Sequence, residues 1–141
     1  MMLNYRAFEQ SDVMNIELDY EFSGESRLGL TSHPNIIGYT LADGDTILAV
    51  GGVHMMWFGV GEAWLLVSPK ALEKPVALAR YSKRLLHDIV EKTDTRRVQA
   101  SVHVDDKIAF QFASWLGFEY EGRMKSYGVE GDDYFRLARV K

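Results

Sequence analysis

Acid–base chemistry near neutrality is open to this chain through four histidines, His33, His54, His87 and His103. They do not stand at the spacings that metal sites use, and no carboxylate pair or Ser/His/Asp arrangement accompanies them. No metal site is expected, and a hydrolase has little to work with. The chain has no cysteine, which removes disulfides, thiolate ligands and a cysteine nucleophile together. His54 lies within one strand-like run and His103 just after another, each as readily a structural histidine as a proton carrier. The aromatic residues Trp57, Phe58 and Trp64 sit on adjacent runs, where they can line a cleft or pack as core or interface.

These residues need elements to hold them. Leu3 to Phe8 alternates apolar and polar residues as a strand does, and Ser11 or Asp12 can cap a helix with Val13, Ile16 and Tyr20 on one face. Ser23 to Pro34 is rich in Gly, Ser and Thr and fits a loop, a short helix, or both in succession. Ile36 to Leu41 and Thr46 to Met56 are β-rich and flank Ala42-Asp43-Gly44-Asp45, whose Asp-Gly pair supplies the positive φ angles of a tight hairpin. A second turn at Gly59-Val60-Gly61 leads into Glu62 to Val67, an apolar strand suited to the middle of a sheet covered on both faces.

Pro69 ends that strand, and Pro75 opens a helix that buries Leu78, Tyr81 or Ser82, Leu85 and Ile89. Arg97 to Val102 reads as the next strand. Asp105 or Asp106 then starts a helix with Ile108, Phe112, Trp115 and Leu116 at core spacing, closed by Gly117. Phe118 to Met124 and Tyr134 to Val140 alternate as two antiparallel strands around a Gly-bearing turn at Glu130-Gly131-Asp132.

The 141 residues form a single expected domain (1–141), with 47% hydrophobic and 26% charged residues in ordinary globular proportion. The formal net charge of −4 comes from interspersed acids and bases, so no broad basic face invites nucleic acid. No apolar run is long enough to span a bilayer and no basic-then-apolar leader opens the chain, so a cytoplasmic protein away from membranes is expected.

The order β-α-(α)-β-β-β-α-β-α-β-β resembles that of the GNAT acetyltransferases. Four local patterns agree: Arg6 with Asp12 six residues on, Leu65-Leu66-Val67-Ser68-Pro69, Asp106 with Ala109, and Gly117-Phe118. The resemblance implies an α/β (α+β) fold, a mixed and mostly antiparallel sheet of six or seven strands flanked by three or four helices. It also implies acetyl-CoA as co-substrate, lying where two central strands splay apart, and an amine acceptor that is a small molecule or a protein. By the same resemblance Leu65, Leu66 and Val67 hold the pantetheine arm, Glu62 takes the amine's proton unless it is simply a strand-edge carboxylate, and His54, His103 and Tyr127 border the cleft. Asp106 and Ala109 belong to the same family signature. Oligomeric state is left open, a dimer included.

The resemblance breaks at the phosphate loop. Members place a Gly-rich turn before the helix; here its positions are Leu72, Pro75 and Ala77, of which only Ala77 conforms. Pro75 lacks an N–H and Glu73 brings negative charge toward phosphate. Lys70, Lys74 and Arg80 either replace the missing donors or are solvated charges. The family's acidic tyrosine falls on Ala113, leaving Tyr81, Tyr120 and Tyr127 as stand-ins. The segment Trp115 to Gly122, with Tyr127-Gly128 and Gly131 to Tyr134, also resembles GNAT-like proteins of tailed phages and prophages. Two functional expectations follow: an N-acetyltransferase, or a degenerate phage GNAT domain acting as a binding or virion-associated protein toward a phage or host partner.

Overall fold

The structure, a computed structural model, describes residues 2–141. The meander β1 (Leu3–Ala7), β2 (Ile36–Asp43), β3 (Thr46–Trp57) and β4 (Val60–Val67) forms one side of a seven-stranded sheet. The other side is β5 (Arg97–His103), β7 (Tyr134–Val140) and β6 (Glu119–Met124), giving the order β1-β2-β3-β4-β5-β7-β6. All neighbours are antiparallel except β4 and β5, which run parallel. Parallel strands need a crossover, and α4 (Pro75–Thr93) supplies it.

One face is closed by α4, whose Leu78, Tyr81, Leu85, Leu86 and Ile89 pack with Tyr39, Ala49, Val53, Val98 and Leu137 in the main core. The expected stripe on this helix is the observed one. Ile89 and Leu137 are wholly buried, each contributing about 2 kcal/mol of transfer free energy. The opposite face of the meander is covered by α1 (Gln10–Asn15) and α2 (Gly24–Thr31), where Val13, Ile16, Val50 and Leu66 form a second cluster with Phe8 and Trp64 against it.

The Arg6 and Asp12 spacing has a structural cause. Arg6 donates two hydrogen bonds to the Asp12 carboxylate, at 2.7 and 2.9 Å, while the Glu9 amide and the Thr40 hydroxyl donate to it as well. Asp12 is 4% exposed. Burial alone would raise its pKa, but the bonds from Arg6, the Glu9 amide and Thr40 outweigh burial and hold it below the ordinary carboxylate value.

Several expectations are corrected. Among the described residues the flanking helices number five, because Pro69 both ends β4 and starts a one-turn helix, α3 (Pro69–Leu72), capped by the Ser68 hydroxyl. The cap of α1 is Glu9 rather than Ser11 or Asp12, and the helix stops at Asn15, so Tyr20 lies beyond it and is exposed. Ser23 caps α2, which resolves the 23–34 segment as a helix followed by an irregular stretch. In the β2–β3 turn only Gly44 has positive φ. Strand β4 begins at Val60, so the preceding turn is Phe58-Gly59.

The last helix, α5 (Lys107–Trp115), buries no residue completely. Ile108 and Trp115 are 77% and 51% exposed, whereas Phe110, Phe112 and Leu116 pack against the core. It overlies only the β5–β7–β6 end of the sheet, so part of its apolar stripe has nothing to cover. At the β3–β4 tip Trp57 and Phe58 are likewise exposed and do not join a core.

Candidate active site

Strands β4 and β5 pair through three residues only: Val60 with Arg97, Gly61 with Val98 and Glu62 with Gln99. From Ala63 and Ala100 onward they part, although β4 stays paired to β3 as far as Val67 and β5 to β7 as far as His103. A wedge-shaped gap therefore opens in the middle of an otherwise continuous sheet. Its β4 margin carries Leu65, Leu66 and Val67, whose backbone edge toward β5 is not used in the ladder. Extended backbone with unpaired N–H and C=O groups can receive an amide-bearing chain as an added strand.

Glu62 stands at the apex. Both of its carboxylate oxygens accept from Arg136 Nη1, at 2.9 and 2.7 Å, and the Ser101 hydroxyl donates to it at 3.2 Å. The Arg136 and Glu62 side chains retain 18% and 25% of their exposure, so the pair is partly desolvated yet reachable. Ser101 also lies 3.5 Å from the Tyr127 hydroxyl, and the Tyr127 ring meets Tyr134 edge-on at 5.4 Å. Burial, with Asp132 and Tyr127 close by, lifts the Tyr134 phenol above its usual value.

His103 is next along this chain of contacts, its ring 5.2 Å from that of Tyr134. The Asp105 amide donates to Nδ1 at 3.1 Å, which leaves Nε2 to bear the proton of the neutral ring, and Nε2 stands 2.8 Å from the Asp132 carboxylate. Glu62, Tyr127 and His103 are thus brought onto one connected surface. His54 is not. Although it is paired in register with Glu62, its ring stacks on His33 at 4.8 Å and its Nε2 bonds the Leu30 carbonyl under α2. Of the other tyrosines, Tyr81 is buried and donates to the Tyr39 carbonyl at 2.6 Å, burial driving its pKa far up, and Tyr120 packs on Phe110 and Phe135 away from the gap.

Following the gap toward α4, the Glu73 and Lys74 amides are used up inside α3, bonding carbonyls of Lys70 and Ala71. Pro75 has no N–H, and Leu78 is the first residue of α4 to reach an internal acceptor, Lys74 O at 3.0 Å. The Val76 and Ala77 amides are left without partners among the described residues, the ordinary anion-attracting end of a helix. Lys74 leans toward Asp43 at 4.0 Å, and Arg80 points from the exposed side of the same helix, beside Leu3, Tyr5 and Ala77. Asp106 caps α5 by accepting from the Ala109 amide at 3.0 Å, which is the physical content of their three-residue spacing.

No family model and no curated protein sequence matches the chain. Solved structures do. A ribosomal-protein-S5-alanine acetyltransferase from Vibrio fischeri superposes with a TM-score of 0.76 at 14% identity, covering 99% of this chain and 93% of that one. The fold is that of the GNAT acetyltransferases. A SpeG spermidine N-acetyltransferase chimera from Vibrio cholerae and hSSAT gives 0.78 at 18% identity over 99% and 96% of the two chains. The ribosomal-protein-S18-alanine N-acetyltransferase from Escherichia coli gives 0.76 at 14% over 99% and 94%. These are likenesses of GNAT fold, and the resemblance to phage proteins finds no counterpart in the three structures.

The GNAT frame makes plain what the sequence did not offer. Arg136 and Ser101 complete the surroundings of Glu62, yet Arg136 lies 74 residues away in the chain. The available signal was parity: Ser101 opposes Arg136 across β5 and β7, so both project from the face that carries Glu62. Among the described residues no cluster of three or more His, Cys, Asp or Glu side chains forms a metal site, and no helix is long and apolar enough to cross a membrane.

Proposed function

We propose that this protein transfers an acetyl group from acetyl-CoA to an amine. The observation that carries the reading is the gap between β4 and β5 with a partly accessible carboxylate, Glu62, at its apex. In this reading the pantetheine arm lies along Leu65 to Val67 and its phosphates meet the Val76 and Ala77 amides, with Lys74 and Arg80 adding charge. The amine nitrogen attacks the acetyl carbonyl, an N–C bond forms and the C–S bond breaks. Glu62 takes the amine's proton directly or through water, and Tyr127 returns one to the departing thiolate. Arg136 and Ser101 orient the Glu62 carboxylate for that step.

Acetyl-CoA titrated into the protein by calorimetry is expected to give saturable heat, and thiol release with a panel of amines, spermidine and an N-terminal alanine peptide among them, is expected to name the acceptor. Glu62→Gln is expected to lower turnover by about 10²-fold or more while acetyl-CoA still binds. Absence of binding at millimolar acetyl-CoA would sink the reading.

A second reading has its own observation. The α4 entrance combines Pro75, the unpaired Glu73 carboxylate and a Lys74 side chain turned to Asp43, all unfavourable to phosphate. On this reading the domain has kept the scaffold for binding, as a virion-associated or host-directed protein of a phage. Acetyl-CoA binding separates the two.

A further inference from the structure

At the end of the molecule opposite the opening of the gap, the C-terminal half of α4 and the C-terminal end of α5 stand apart over β5 and β7 and flank a half-open cavity of about 590 Å³. None of the residues placed in the acetyl-transfer site lines it. The volume is that of a small-molecule site. Its floor is apolar, made by Leu86, Val90, Val98 and Leu116. Its rim is basic: Lys83, Arg96, Arg139 and Lys141 line it with Glu91 as the one acidic side chain. That balance runs against a chain carrying 20 acidic and 16 basic residues.

The cations are held over the cavity without being neutralised. Among the described residues Lys83, Arg96 and Arg139 pair with no carboxylate. The Arg96 guanidinium is turned to the β3–β4 turn, where it donates to the Phe58 carbonyl at 3.0 Å and lies against Gly59, so of these three Lys83 and Arg139 are the cations left to the cavity. Arg139 lies across Gly117, where a Cβ would come within 3.3 Å of its Nε, so the residue that ends α5 with φ +96 also makes room for the guanidinium. Trp115 closes one wall. Its ring is half exposed, stacked on Phe112 at 5.9 Å and covered on one face by the Lys83 ammonium at 4.4 Å. A half-exposed indole beside unpaired cations and an apolar floor is arranged for a ligand with a flat ring at one end and negative charge at the other.

We propose that this cavity binds a ring-bearing organic phosphate or carboxylate of about mononucleotide size, its ring against Trp115 and Leu116 and its anionic group against Arg139 and Lys83. The site is separate from acetyl transfer and does not depend on that activity.

The probe is AMP, titrated into the ¹⁵N-labelled protein while the indole N–H signals of the three tryptophans are followed. The Trp115 signal is expected to shift saturably, with Trp64, near the β4 side of the gap, unmoved. Adenosine and inorganic phosphate used singly are expected to bind at least about tenfold more weakly than AMP, because each engages half of the site. Arg139→Gln and Lys83→Glu, both at exposed positions, are each expected to weaken AMP about tenfold without altering the fold seen in the spectrum. A Trp115 signal that does not respond, a response confined to Trp64, or an affinity indifferent to both substitutions would overturn the proposal. Sodium benzoate serves as the carboxylate arm: a matching Trp115 shift identifies anion-plus-ring as the recognised chemistry, and a silent one restricts the site to phosphates.

Discussion

On the β5 margin of the gap, side chains from β5, β7 and the β6–β7 connection converge on one carboxylate, so that Arg136, Glu62, Ser101, Tyr127, Tyr134 and His103 touch in that order. On the β4 margin almost nothing converges. Leu65 to Val67 offer backbone, and the turn beyond them has spent the Glu73 and Lys74 amides on its own helix. The contrast teaches that the two requirements of a transfer reaction are met by different means: proton handling by a dense polar network, anchoring of the donor by a sparse helix end. A network of that kind is costly to break at any member, whereas a helix end can be improved one residue at a time.

The largest effect is expected where the network is cut at its charge. Arg136→Ala leaves Glu62 half-buried with only Ser101, and should lower stability by about 2 to 3 kcal/mol, somewhat less than for fully buried pairs because both groups keep some water. Urea midpoints read this, and adding Glu62→Gln to the same chain should restore most of the loss. Asp12, outside both margins, gives the reference for a better-buried pair. Asp12→Asn should cost about 2 kcal/mol. Because its folded pKa is depressed, its contribution is complete above the ordinary carboxylate value of 3.8 and is lost as pH falls through the lower folded value. Acid titration of the wild type should therefore show a stability loss below pH 4 that Asp12→Asn lacks.

The sparse margin should respond in the opposite direction. Glu73→Arg with Pro75→Gly removes a repulsive charge and restores an N–H donor, and is expected to tighten acetyl-CoA about tenfold, roughly 1.4 kcal/mol, by calorimetry. The smallest effect belongs to Tyr127→Phe: the 3.5 Å approach to Ser101 is long, so the melting point should barely move, by the equivalent of about 0.5 kcal/mol or less, while turnover reports any role as an acid.

What could be read in advance followed how local each cause is. The α4 stripe, the β2–β3 hairpin and the Asp106 cap depend on residues within a few positions of one another, and all were legible. Arg6 and Asp12 were legible as a spacing, though not as a buried ion pair, since that needed Thr40 from a different strand. Ile108 and Trp115 misled because periodicity identifies an apolar stripe but not the width of whatever it meets. His54 and Glu62 share a register pair, yet α2 claims the histidine, and the packing of an irregular Gly- and Ser-rich stretch leaves no periodic trace. Arg136 lies 74 residues from Glu62, and the parity that puts both on one face becomes usable only once the β5–β7 register is known.

The short ladder between β4 and β5 has a consequence for how the native state opens. Three register pairs are the whole ladder between the four-stranded meander and the β5–β7–β6 unit, supplemented by the Arg136 and Ser101 bonds to Glu62, the Arg96 and Arg97 bonds to the 58–59 turn, and α4, which packs on both. Parting along this line breaks few backbone hydrogen bonds, so it is the natural boundary between two cooperative units in hydrogen exchange. Amides of β2 and β3 should outlast those of β5 and β6 in the exchange record. A molecule lying across the boundary must be released before the units separate, so its binding free energy adds to the cost of that opening and its presence should slow exchange on both sides together.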